Sequence, residues 1–158
     1  MTIEKNLVGA AGEHLVLSRL LRRGLLAAQS PRGAKKADII VHPIDGGTPW
    51  LIQVKTKLKS SKTEWIMKPE HATTVDSDLI YCFVDLHSSP EKIYVVPSKV
   101  VAKVLTDADK VWMDKPRRDG KEKAEHKLRM LKNEFMLDVK SAPDGWMDKY
   151  LENWDLLE

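Results

Sequence analysis

The chain has 158 residues, 42% of them hydrophobic and 31% charged, which is ordinary for a soluble globular domain and long enough to bury a core without staples. No run of about 18 apolar residues occurs, so a membrane-spanning helix is not expected, and the start (MTIEKNLVGAAGEH) has no long apolar stretch of the kind a secretory signal carries. Cys82 is the lone cysteine, which excludes an internal disulfide and a cysteine zinc site and fits a reducing, cytoplasmic setting, and a net charge of +3 with pI about 8.9 permits nucleic-acid binding without arguing for it.

In chain order, residues 6–23 carry Gly9, Val16, Leu17, Leu20 and Leu21 at helical spacing, and Gly24 is a natural stop. Glu13 lies four residues from both Gly9 and Leu17, which puts a carboxylate on the apolar face. Residues 25–29 read as a short strand and 30–33 as a turn. Residues 37–41 (ADIIV) read as a strand. Asp45-Gly46-Gly47 is a strong hairpin signal, and residues 50–57 (WLIQVKTK) are the returning strand. A polar, lysine-rich loop follows, then a short helix over 69–75. Residues 79–86 (LIYCFVDL) are almost continuously apolar and read as a buried strand, and 92–96 (KIYVV) as another. Pro97-Ser98 opens a helix through Leu105.

The last third predicts a basic loop over 115–120, a helix over 121–135, a break over 141–145 and a closing amphipathic helix over 146–157 carrying Trp146, Tyr150 and Trp154. The expectation is one domain over 1–158, with a core over about 6–105 and a helical extension over about 106–158. The fold class that results is α/β, a mixed sheet flanked by helices.

Four polar side chains stand on these otherwise apolar elements. Gln53 and Lys55 are two residues apart on one strand and share a face. A hairpin joins that strand to the one opened by Asp38, which brings the three together, and Glu13 can reach the same place from the first helix. Buried charges are costly unless paired or bound to metal, and Mg2+ is a hard cation that takes oxygen ligands. Each residue also has a plainer use: Glu13 as an ion-pair partner of Lys55, Asp38 as a turn cap, Gln53 and Lys55 as a solvated strand face. His14, His42, His71, His87 and His126 show no close zinc-ligand spacing.

The pieces GAAGE (9–13), ADIIV (37–41), IQVK (52–55) and IYVVPS (93–98) resemble the PD-(D/E)XK, or restriction-endonuclease-like, superfamily. The resemblance covers residues 9–105. It is similar to archaeal Holliday-junction resolvases in the order of elements, and to Mrr-like endonucleases in having a glutamine at the acid position. It implies a restriction-endonuclease-like fold and a Mg2+- or Mn2+-dependent endonuclease acting on DNA, with structured or branched DNA among its substrates. Asp38 would be the main metal ligand, with the Gln53 side-chain oxygen and the Val54 carbonyl completing the shell. Glu13 would hold a second ion or a water in the ion's shell, and Lys55 would position the attacking water or stabilise charge on phosphorus. Ala37 stands where the family has proline, without consequence for the ligands. Gln53 replaces the commoner acid and removes a negative charge, which weakens metal affinity.

Arg32, Lys35 and Lys36 before Asp38, and Lys57, Lys59 and Lys62 after Lys55, flank the site as expected phosphate contacts. No base-reading motif accompanies them. If both DNA strands are cut a homodimer is expected; the 146–157 helix is one surface for it, and its plainer and preferred use is to pack on the chain's own core. The alternatives are an inactive DNA-binding or complex-forming relative, a subunit of a larger assembly, and a non-nuclease enzyme using Glu13 and Asp38 as acid and base.

Overall fold

In the computed structural model, residues 4–31, 33–34, 36–58, 64–124 and 128–157 are described. Helix α1 covers Lys5–Arg22 and β1 covers Leu26–Gln29, with Gly24 between them at φ 78°. The left-handed backbone that stops the helix is one glycine adopts without strain. Then come β2 (Ile39–His42), β3 (Trp50–Lys57), β4 (Glu64–Met67), a 3-10 turn (Pro69–Ala72), β5 (Leu79–Asp85), β6 (Lys92–Pro97), α2 (Ser98–Asp114) and β7 (Arg129–Lys132).

Five strands form one mixed sheet in the order β1-β2-β3-β5-β6. Only β3 and β5 run parallel; β1–β2, β2–β3 and β5–β6 are antiparallel. The hairpin expected at Asp45-Gly46-Gly47 joins β2 to β3, with both glycines at positive φ. This is the α/β class with a mixed sheet flanked by helices.

The sheet separates two apolar layers. On one face α1 contributes Val16 and Leu20, which pack with Ile39, Val41, Ile52, Val54, Ile80 and Cys82. On the other, α2 contributes Val101, Val104 and Leu105, which pack with Tyr81, Phe83, Val96 and Trp65. Strand residues alternate between faces, so β5, buried on both, reads as the continuous apolar run that its sequence displays.

Four expectations are corrected. Helix α2 runs to Asp114 rather than Leu105. Its later polar residues lie on a solvated side, where Lys103 and Asp107 pair at 3.0 Å. The lysine-rich stretch contains a strand, β4, whose alternation buries Trp65 and Met67 and exposes Ile66. Residues 121–135 show no helix among those described. They contain β7, which pairs with β4 in a separate two-stranded sheet, Trp65 opposite Leu131. The closing segment is not a helix either, only two 3-10 turns at Asp148–Tyr150 and Trp154–Leu157. Leu151 bridges to Tyr94 of β6, and Glu152 turns at φ 49°. Trp146 and Trp154 therefore enter opposite layers of the core. Both are buried, so this segment packs on the chain's own core, as its plainer use has it, rather than offering an aromatic dimer surface. The region after 106 is thus a mixed extension rather than a helical one.

Candidate active site

The site grows from an inequality in strand length. β3 has eight residues and its antiparallel partner β2 has four, pairing from Ile39↔Ile52 to Val41↔Trp50. Asp38 N–H still donates to the Ile52 carbonyl at 2.8 Å. Beyond that point β3 continues without β2, and the Val54 N–H on that side needs an acceptor. The Asp38 carboxylate supplies it: Oδ2 accepts from Val54 N at 2.7 Å and, in a second short bond, from Gln53 Nε2.

Ile52 and Val54 face the α1 layer, so the alternating Gln53 and Lys55 face the opposite layer, beside Tyr81 and Phe83, their register partners on β5. Asp38, Gln53 and Lys55 are thus brought together as expected. The plain reading of Asp38 as a cap holds in part, because it satisfies a strand end.

Glu13 arrives from the other side of the sheet. Helix α1 passes β3 so closely that a Cβ on Gly12 would lie 1.9 Å from Thr56 Oγ1. The residue that sets the approach is therefore Gly12, not Gly9, around which a Cβ would meet nothing within 4 Å. Glu13, next in sequence, is half-buried. Burial raises its pKa, the Asp38 charge raises it further, and His14 opposes both. The carboxylates of Glu13 and Asp38 therefore sense one another, and no ion pair joins Glu13 to Lys55 among the described residues.

Burial lowers the Lys55 pKa; Asp38 opposes that shift, Lys68 reinforces it and Glu70 opposes it. Lys68, Glu70 and His71 belong to a wall of the site that the sequence reading did not include. They come from the Pro69–Ala72 turn and the residue before it. His71 is buried, and its Nδ1 lies 2.7 Å from the Tyr81 hydroxyl. Burial first, and Lys55 second, push its pKa down to about 4, against Glu70. Spacing along the chain gives no signal for His71, whose partner Tyr81 is brought to it by the fold, and zinc spacing was the wrong test for it.

Of the expected phosphate contacts, Lys36 is exposed and next but one to Asp38. Lys57 is already engaged: its Nζ lies 3.2 Å from Asp85 and 4.1 Å from the centre of the Trp65 ring. Arg32, Lys35, Lys59 and Lys62 lie outside the described residues.

Among the described residues no three of His, Cys, Asp and Glu are gathered closely enough to hold a metal ion by themselves. The donors that fit a hard cation are the carboxylates of Asp38 and Glu13. No described residue donates to Asp38 Oδ1, which leaves that oxygen for a ligand. The N–H and C=O of one residue in an extended strand leave on the same side, so the Val54 carbonyl also points to the β2 side. Gln53 fits only after its amide turns, because its Nε2 now faces Asp38. A cavity of about 500 Å³ lies elsewhere, lined by Leu105, Trp112, Met130 and Phe135 among others, and shares no residue with this cluster.

No family model matches the chain, and no curated protein matches it in sequence. Among solved structures, a bacterial homing endonuclease, I-Ssp6803I, is similar in fold at 14% identity and a TM-score of 0.56. The match covers 99% of this chain and 92% of that one.

Proposed function

We propose that the chain is a divalent-metal-dependent endonuclease of the PD-(D/E)XK type that hydrolyses phosphodiester bonds in DNA. The observation that carries this reading is the convergence of Asp38, Gln53 and Lys55 at the end of β3 that β2 leaves uncovered, with the Glu13 carboxylate close enough to Asp38 to sense its charge. A fold shared with a homing endonuclease, whose name states its own activity, supports it.

Asp38 would hold Mg2+ or Mn2+, with the Val54 carbonyl, Glu13 and a turned Gln53 amide as further oxygen donors. A bound ion would polarise the phosphate, ease deprotonation of water and offset charge in the transition state. Lys55 points from the same strand face as Gln53 and can orient the attacking water or stabilise negative charge on the phosphoryl oxygens. Its lowered pKa makes it a readier proton acceptor than an exposed lysine. Lys36, with the other basic residues before Asp38 and those that follow Lys57 in sequence, would hold the DNA backbone. Cutting both strands takes two such sites, hence two copies of the chain.

One observation favours a second reading, a DNA-binding relative without catalysis. The Gln53 amide and the Val54 N–H already satisfy one oxygen of Asp38, so a purely structural use of this carboxylate is also accounted for. The test incubates the protein with duplex, nicked, branched and single-stranded DNA, with and without Mg2+ or Mn2+, beside Asp38→Asn. Asparagine keeps an acceptor for Val54 N–H and removes the charge, so it should retain the fold and lose cleavage. Cleavage by Asp38→Asn at the parent rate removes the assignment. DNA binding without cleavage, and without metal heat by calorimetry, selects the second reading.

A further inference from the structure

The sheet face that carries Gln53 and Lys55 is closed on one side by the Pro69–Ala72 turn, and this turn is fastened twice. His71 is buried with its Nδ1 2.7 Å from Tyr81 Oη, and the two rings meet edge to face with centroids 5.5 Å apart. Thr106 Oγ1 of α2 donates to the Ala72 carbonyl at 3.3 Å. Tyr81 is the register partner of Gln53 across the parallel β3–β5 pair. Asp38, Gln53, Tyr81 and His71 thus follow one another from the metal donor to the turn.

The residue that opens this turn is Lys68. It is exposed, has extended backbone at φ −82° and ψ 155°, and has no ion-pair partner among the described residues. Its charge reaches both Lys55 and His71. An exposed lysine that no carboxylate holds in an ion pair, on a turn fastened beside the register partner of Gln53, is open to a phosphate oxygen. Glu70 is exposed and makes no ion pair with either lysine among the described residues. Lys57, the neighbour that spacing nominated, is held by Asp85 and Trp65 instead.

We propose that Lys68 is a phosphate contact of the DNA-binding face, and that His71, through its contact with Tyr81, is the positioning residue that holds Lys68 over the site. The proposal rests on the nuclease reading above and adds to it the wall that carries the DNA backbone past Lys55. A buried, neutral imidazole suits this task. It fixes the turn without adding a third positive charge beside Lys55 and Lys68, and one ring nitrogen suffices for the tyrosine hydroxyl.

The test measures binding of a short labelled DNA duplex over a range of salt concentrations in EDTA, so that cleavage plays no part. Lys68→Ala should weaken binding and reduce the slope of log affinity against log salt by about one, the loss of one phosphate contact. Tyr81→Phe keeps the ring and removes the hydroxyl. It should reproduce most of that loss, and the Lys68→Ala/Tyr81→Phe double variant should bind no more weakly than Lys68→Ala alone, because both remove one contact. Should Tyr81→Phe fail to fold, His71→Phe takes its place in the cycle. An unchanged slope in Lys68→Ala overturns the contact. Additive losses in the double variant overturn the positioning role of His71. A parent protein that binds DNA with salt-dependent affinity in either case leaves the nuclease reading standing, whereas a parent with no DNA affinity removes both.

Discussion

Replacing Gln53 with glutamate tests the geometry of the site without reference to catalysis. In the parent, Gln53 Nε2 donates to the Asp38 carboxylate, and a hydrogen bond to a charged group contributes roughly 1.5–3 kcal/mol. Glutamate removes the donor and sets a second carboxylate against the first. Two unit charges about 4 Å apart repel by about 4 kcal/mol at an effective dielectric near 20. Keeping the new acid neutral at pH 7 costs about as much, since its ordinary pKa near 4.3 must rise by nearly three units at about 1.4 kcal/mol each. Residue 53 is half-buried, so rotation toward solvent relieves part of this, and a net loss of about 2–4 kcal/mol is expected. For a chain of this size each kcal/mol moves Tm by roughly 2–4 °C, so Gln53→Glu should melt on the order of 5–15 °C lower in EDTA. Mg2+ should reverse the order of effects. The variant offers a third charged oxygen to a hard ion, so saturating Mg2+ should raise its Tm more than the parent's, by the logarithm of concentration over Kd. Thermal melts of both proteins in EDTA and across a Mg2+ titration read both quantities. Equal Tm values in EDTA would mean that residue 53 does not face Asp38, and equal Mg2+ responses would mean that it does not reach the ion.

Three further outcomes follow from contacts other than that of Gln53 with Asp38. Gly12→Ala should gain about 1 kcal/mol of helix propensity and lose more to the clash with Thr56, for a net destabilisation of about 1–3 kcal/mol by urea denaturation, partly restored by adding Thr56→Ala; a stabilised Gly12→Ala would refute the close crossing of α1 over β3. Lys57→Ala should leave the salt slope of DNA binding unchanged, because its ammonium is engaged by Asp85 and Trp65, and should lower stability by about 1 kcal/mol. His71 is held at about 4 against an ordinary 6.5, so its folded pKa is depressed and the unfolded chain takes up the proton first. The stability it contributes is present above pH 6.5 and is lost as pH falls through about 4, up to about 3 kcal/mol. Denaturant midpoints at pH 7 and pH 4 should therefore converge in His71→Phe relative to the parent, and an identical pH response in the two proteins would show that His71 is not buried as described.

The half of the chain that was legible is the half where local pattern and tertiary demand agree. β3 matches its expected limits because alternation, a glycine turn before it and a polar loop after it all mark the same residues. β5 is continuously apolar because both faces are covered. Asp38, Gln53 and Lys55 were legible because strand period and a hairpin suffice to place them. The failures occur where a distant partner decides. Leu128, Leu131 and Phe135 have helical spacing, but Leu131 lies in β7, a strand paired along its length with β4, since strand preference is largely a matter of what lies alongside. Trp146, Tyr150 and Trp154 have helical spacing too, but the chain must feed one tryptophan to each face of the sheet, and the backbone at Glu152 breaks to do so. His71 was passed over because spacing along the chain cannot show that Tyr81, ten residues on, returns beside it.

The same strand end explains why fold and chemistry coincide at Asp38. An eight-residue strand beside a four-residue one leaves backbone groups without a ladder partner, and an unmatched buried N–H costs about 1–3 kcal/mol. A carboxylate placed one residue before the short strand corrects this for Val54 at 2.7 Å. That correction uses Oδ2 and leaves Oδ1 without a described donor, so the residue that completes the sheet also presents a charged oxygen where β2 no longer covers β3. The parallel pairing of β3 with β5 then brings Tyr81, and through it His71, to the same opening. The charge of Asp38 is met by two N–H donors, and that balance allows a stable fold to keep an acid there while a ligand can still compete for it.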